Sequence, residues 1–157
     1  MTLDITTLDG QRLVTRKGAY VCLGGAAVCF LGTAVVARYP ETRLLGASAT
    51  CFFGGPSVGL ITILRAMSLR QRWIDAGSAG TPPPQSAFEQ RLAALAVFLG
   101  FSCGGMLMFL SGRLYPHWHT TSLWANPDKA MIAGGLLVVA SLGGMLPAIY
   151  KAHFRKA

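Results

Sequence analysis

The stretch that decides the fold is residues 18–37, GAYVCLGGAAVCFLGTAVVA, which holds 20 residues without a charged side chain or a histidine. A helix needs about 20 apolar residues to cross about 30 Å of hydrocarbon. The sequence therefore predicts an all-α integral membrane protein whose four transmembrane helices form an antiparallel bundle. The other three such stretches, each of 21 residues, lie between Arg43 and Arg65, between Arg91 and Arg113, and between Lys129 and Lys151.

The composition of the whole chain agrees with a membrane protein. Of its 157 residues 52% are hydrophobic and 13% are charged, with a net charge of +8 and a mean hydropathy of +0.47. Soluble globular proteins carry about twice that charged fraction. The composition argues against a disordered chain, an ordinary soluble enzyme and a basic nucleic-acid-binding domain, so we expect no nucleic-acid partner.

The distribution of lysine and arginine predicts the orientation. The N-terminal tail, the middle loop with its flanks and the C-terminal tail hold ten of these cations, against four at the opposite ends of the stretches. By the positive-inside rule both termini are cytoplasmic, as an even number of spans requires. We expect the bacterial inner membrane. A 17-residue tail containing Asp4 and Asp9 favours a retained anchor over a cleaved signal peptide.

The chain divides into segments on this scheme. Residues 1–17 form a cytoplasmic tail, 18–67 a first transmembrane hairpin, and 68–90 a cytoplasmic loop containing Gly, Ser and Pro. Residues 91–150 form a second hairpin with an aromatic outer loop at 112–128, and 151–157 a basic cytoplasmic tail. Tyr39-Pro40 follows the first stretch, and Tyr115-Pro116 follows the third. One interpretation of this match is a tandem duplication of one hairpin.

Local signals predict where three of the helices begin. Pro40 suits the first position of the second helix, where a missing N–H costs no helical bond, and Glu41 suits the positive helix end. Ser86 and Glu89 have the spacing of a capping box for the third helix. Asn126 before Pro127 predicts the cap of the fourth.

Glycine is concentrated in the apolar stretches. In lipid, helices associate through close backbone approach, which small residues permit. Two interpretations stay open: these residues close the chain's own bundle, or they face a helix of another subunit. Pro56 interrupts the second stretch and predicts a hinge. The packing residues predicted in this way are Gly25, Cys29, Gly55, Gly59, Gly100, Gly104, Gly143 and Gly144.

Polar and aromatic residues are gathered in two places outside the stretches. Those in the outer loop serve as interfacial anchors or as contacts to a partner. The cations of the C-terminal tail, Lys151, Arg155 and Lys156, are expected to bind anionic lipid head groups. The residues predicted in the outer loop are Tyr115, His117, Trp118, His119 and Trp124.

The apolar stretches contain no residue typical of membrane chemistry. Ion-coupled transporters and proton relays generally need an ionisable side chain inside a span. The sequence also has no Cys-x-x-Cys, Walker loop or zinc-ligand spacing. We therefore expect no catalytic residue, cofactor or metal site.

These observations lead to a functional hypothesis. We expect a non-enzymatic inner-membrane protein that acts by helix association with a membrane partner, as an accessory subunit or an immunity-type protein. The alternative is a small homo-oligomeric channel or carrier for an uncharged or weakly polar solute.

Overall fold

The computed structural model describes residues 8–78, 85–119 and 126–154, and these residues form four helices without a strand. The all-α prediction is confirmed for them. In chain order the helices are α1 (Leu8–Val36), α2 (Pro40–Asp75), α3 (Gln85–Leu114) and α4 (Pro127–Phe154).

Three of these helices are long and apolar enough to cross a membrane. The qualifying segments are Gly10–Val35 in α1, the whole of α2, and Arg91–Leu114 in α3. Helices of this length and composition are consistent with an integral membrane protein. Since α4 is not among the qualifying helices in the described part of the chain, the fourth span stays a prediction.

The helix starts agree with the sequence at two of three places. Pro40 is the first residue of α2, after Tyr39 as the N-cap. At the start of α4 the Asn126 side-chain oxygen accepts a hydrogen bond from the Lys129 N–H at 2.9 Å. The Ser86 cap is wrong, because α3 already begins at Gln85 and Ser86 therefore lies within the helix.

Helix α2 is longer than a membrane crossing requires. Its 36 residues correspond to about 54 Å at 1.5 Å per residue, and it continues ten residues past Arg65. It ends in a Schellman motif: Ser78 N–H donates to the Trp73 carbonyl and Gly77 N–H to the Ile74 carbonyl. Gly77 has φ +81°, which glycine adopts without steric cost.

The helices lie in a row in the order of the chain. Within the described residues α1 contacts only α2, α2 contacts α1 and α3, and α4 contacts only α3. Neighbours are antiparallel: Gly25 of α1 lies against Phe53, whereas Thr33, further along α1, lies against Gly46, which comes earlier in α2. The edge helices α1 and α4 are thus each covered on one side by this chain.

The closest approach in the row is between α2 and α3. A Cβ added to Gly55 would lie 2.7 Å from the Gly100 Cα and 2.7 Å from the Ala96 carbonyl oxygen. One added to Gly100 would lie 2.7 Å from the Gly55 Cα in return. The two backbones therefore touch where both side chains are hydrogen, which is the packing that small residues allow between membrane helices.

Serine hydroxyls link the helices beside these glycine contacts. The buried Ser48 of α2 donates to the Gly104 carbonyl of α3 at 2.7 Å. Ser102 of α3 and Ser141 of α4 lie 2.8 Å apart at their hydroxyl oxygens. Such bonds between apolar helices contribute about 0.6 kcal/mol each on average, so each adds a small amount to the stability of the row.

Neighbouring glycines allow a direct test of this packing. We expect Gly55→Ala to reduce the free energy of unfolding by about 1–3 kcal/mol, because the new methyl group meets backbone atoms that cannot rotate away. Gly54→Ala is the matched control, since a Cβ there has nothing within 4 Å. It should be neutral or stabilise by up to about 1 kcal/mol through helix propensity.

The measurement is reversible unfolding of the purified chain in mixed micelles, followed by circular dichroism. If both alanine variants unfold at the same denaturant concentration, the Gly55–Gly100 contact does not hold α2 against α3.

Candidate functional site

The polar residues that the structure brings together lie where α2 begins and α3 ends. Glu41 stands in the first turn of α2 and is 1% exposed. Ser111 lies in the last turn of α3 and is fully buried. The segment that follows α3 folds back over both helix ends and carries Trp118 and His119. We call Tyr39, Glu41, Ser111, Trp118 and His119 the outer cluster.

The Glu41 carboxylate is the centre of the outer cluster. Its Oε1 accepts a hydrogen bond from the His119 backbone N–H at 3.1 Å and lies 3.0 Å from the His119 Nδ1. With the proton on Nδ1, the imidazole donates to the same oxygen. The Tyr39 ring stacks on the His119 ring at 4.3 Å between centroids and 4° between planes. Backbone, imidazole and ring stacking together fix His119 over the start of α2.

A second set of bonds attaches the same segment to α3. The indole N–H of the buried Trp118 donates to the Ser111 carbonyl at 3.2 Å. The Ser111 hydroxyl donates to the Glu41 main-chain carbonyl at 3.3 Å. Trp118 thus closes the end of α3, and Ser111 links that end to α2.

The chemistry available to the outer cluster is limited by what its groups already bind. In the tautomer that donates to Glu41, the His119 Nε2 is an acceptor on a side chain that is 61% exposed. The Ser111 hydroxyl is buried and already donates to the Glu41 main-chain carbonyl. No group of three His, Cys, Asp or Glu residues able to hold a metal exists in the described ranges. The arrangement is suited to fixing in place the segment that carries Trp118 and His119.

The remaining predicted residues of the loop and tail fall into those that the structure describes and those that it does not. Tyr115 is half-buried beside the end of α3, where its N–H donates to the Ser111 carbonyl, and His117 is exposed. Lys151 belongs to the last turns of α4, and its side chain lies outside the described set. Trp124, Arg155 and Lys156 lie outside the described residues altogether.

Most of the glycines predicted to pack lie between helices of this chain. Gly25 faces the Phe53 ring, and Gly104 faces the Phe52 ring. Gly59 lies against the Ala93 carbonyl. These positions fit the interpretation that the glycines close the chain on itself.

Three predicted packing residues and the predicted hinge differ from these. A Cβ on Gly143 or Gly144 of α4 would meet nothing within 4 Å. Cys29 lines an open groove of about 420 Å³ between α1 and α2. Helix α2 is continuous on both sides of Pro56, so the hinge stays a prediction.

The outward faces of the two edge helices carry regularly spaced apolar residues. On α1 they recur at alternating intervals of three and four, on the side turned away from α2; Val28 in this set is 72% exposed and lies at the border of the groove that Cys29 lines. On α4 the intervals are four, three and four, on the face opposite α3. We call the first set the α1 seam (Val21, Gly24, Val28, Leu31, Val35) and the second the α4 seam (Ile132, Leu136, Val139, Gly143).

The sequence analysis missed both Glu41 as a site residue and the two seams. Glu41 and His119 are 78 residues apart, and the acid was assigned only to the helix end. Their meeting follows from the antiparallel order of α2 and α3, which places the start of one beside the end of the other. The seams were hidden because the stretches are apolar on every side, so no polar face marks the helix rotation.

Comparison with known proteins gives no relative: the chain matches no protein-family model, no curated protein and no solved structure.

The outer cluster predicts a specific effect of removing one charge. Glu41→Gln should destabilise the protein by about 1.5–3 kcal/mol, because the hydrogen bonds from His119 lose their charged acceptor. It should also speed hydrogen exchange at the His119 amide. Asp128→Asn is the matched control: it makes the same chemical change in the first turn of α4 on an exposed side chain.

The free energy of unfolding and amide exchange of the three proteins supply the measurement. Equal exchange rates at His119 in the wild-type chain and the Glu41→Gln variant would contradict the role of this carboxylate in fixing the segment that carries Trp118 and His119.

Proposed function

We propose that the chain is a non-enzymatic protein of the bacterial inner membrane that acts by binding another integral membrane protein. In this proposal all four helices span the bilayer, both termini are cytoplasmic, and the partner packs against an edge of the row. Its role is that of an accessory subunit or an immunity-type protein.

The observation that carries this proposal is the α1 seam. Helix α1 has the fewest buried residues of the three apolar helices, and its contacts within the described chain are to α2 alone. The seam lies on the side turned away from α2 and runs from Val21 to Val35. A helix with one neighbour and an ordered outward face has room for a second neighbour.

The residue types of the α1 seam favour a helix over lipid as the group that covers it. Intervals of three and four keep residues on one line along two helices that cross at about +20°, as most membrane helices do. Val21, Val28 and Val35 repeat every seven residues, and a β-branched side chain loses little rotamer freedom when it packs. Gly24 between them permits close approach. Lipid chains require only that a surface be apolar.

The alternative of a homo-oligomeric channel or carrier uses the same surfaces. In that case the α1 seam of one copy would meet the α4 seam of another, and the row would close into a ring. The two hypotheses differ in what accompanies the chain in native lipid.

The test is Val28→Trp, which should reduce recovery of the partner at least tenfold when the chain is isolated in native-lipid nanodiscs. The large side chain changes the seam at an exposed position that borders the open groove at Cys29, so it is not forced into a packed contact. Leu99→Trp on α3 is the matched control, since Leu99 is 49% exposed and lies outside both seams. Both variants should keep the thermal stability of the wild-type chain.

The mass of the particles decides between the hypotheses. A different membrane protein in fixed stoichiometry, lost in Val28→Trp and kept in Leu99→Trp, supports the proposal. Particles that hold only copies of this chain, with solute flux in liposomes, would favour the channel. Recovery of the same partner by both variants would contradict a role for the α1 seam.

A further inference from the structure

A groove opens between α1 and α2 at the end of the row opposite the outer cluster. Its volume is about 630 Å³, which lies in the usual range of small-molecule sites. The α1 side belongs to the N-terminal half of that helix, and the α2 side to the C-terminal half. The groove is distinct from the α1 seam, which lies on another face of α1.

Two arginines of α1 stand at the mouth of the groove. Arg12 donates from Nη2 to the Ser68 hydroxyl of α2 at 3.2 Å. Arg16 donates from Nε to the Tyr20 hydroxyl at 3.4 Å, and its guanidinium lies 5.6 Å from the centre of that ring. Each guanidinium has five N–H donors, and each of these bonds uses one of them. The mouth therefore holds two positive charges with donors to spare.

The wall below the arginines is apolar. Leu23 of α1 and Ile61 and Leu64 of α2 line it, and the buried Ala19 lies among the lining residues. From Arg12 to Leu23 the groove follows α1 for about 16 Å at 1.5 Å per residue. Polarity thus changes along the groove, from cationic at the helix end to hydrocarbon-like toward the middle of α1.

We propose that this groove binds one anionic glycerophospholipid, with the phosphate at Arg12 and Arg16 and an acyl chain against Leu23 and Ile61. Arginine recognises phosphate oxygens with paired N–H donors, and this matches the two arginines at the mouth of the groove. The acyl chain covers an apolar wall that a small phosphate ion would leave bare. The arginines lie at the end predicted to be cytoplasmic, which would place them near the lipid head groups.

The charge of the lipid is the discriminating property. Basic side chains attract the net negative charge of an anionic head group, so two arginines should favour an anionic over a zwitterionic lipid about tenfold or more. A lipid that only coats the apolar surface would show no such preference.

The experiment is native mass spectrometry of the full-length chain, delipidated in neutral detergent and titrated with phosphatidylglycerol or with phosphatidylcholine of the same acyl chains. We expect one bound phosphatidylglycerol, and about tenfold more phosphatidylcholine for equal occupancy. The double variant Arg12→Gln/Arg16→Gln should lose this preference. Arg70→Gln/Arg91→Gln is the matched control, because it removes two exposed charges outside the groove.

Two further arms separate a lipid site from a phosphate site. Leu23→Trp, which fills the apolar wall and keeps both arginines, should weaken phosphatidylglycerol binding. Glycerol 3-phosphate should not displace the lipid at equal concentration. Displacement by glycerol 3-phosphate, equal loss in both arginine double variants, full binding by Leu23→Trp, or equal affinity for the two lipids would each overturn the proposal.

Discussion

The backbone contact between Gly55 and Gly100 is the constraint on which the rest of the structure depends. Two helices that touch through hydrogen alone have one permitted rotation and one register, because a shift of one residue turns each helix by about 100°. That register brings the Ser48 hydroxyl to the Gly104 carbonyl. It also places Glu41, about 21 Å along α2 from Gly55, at the same end as Ser111 of α3. The outer cluster is therefore a consequence of the glycine contact.

The edge helices α1 and α4 also pack onto this central pair through small residues. Gly46 leaves room for Thr33 of α1, and Gly105 faces the backbone of Gly134 in α4. Each helix contact thus includes an inward-facing small residue, whereas the seams consist mainly of branched apolar residues, with Gly24 and Gly143 among them. In lipid this division has a physical reason, since burying leucine or valine against another helix gains little over burying it in acyl chains.

The sequence was sufficient to locate the helices and insufficient to orient them. Charge-free stretches, Pro40 and Asn126 marked where helices lie and where two of them begin. The glycine pairs marked the stretches that pack closely. Which member of a pair faces a neighbour is a matter of rotation: Gly55 touches α3, whereas Gly54, one residue earlier, faces open space. A helix that is apolar on all sides carries no pattern that fixes this rotation, and the pairing of Glu41 with His119 depends on it.

The contact between α1 and α2 connects the lipid groove to the α1 seam. Both halves of α1 lie against α2: Gly18 lies against Leu60 in one half, and Gly25 lies against Phe53 in the other. The lipid groove opens beside the contact at Gly18, and the bond from Arg12 to Ser68 joins the two helices there. A phospholipid in the groove would add contacts to both helices along this half of α1. The α1 seam would then be presented by a helix that α2 supports along its length and that lipid supports further at one end.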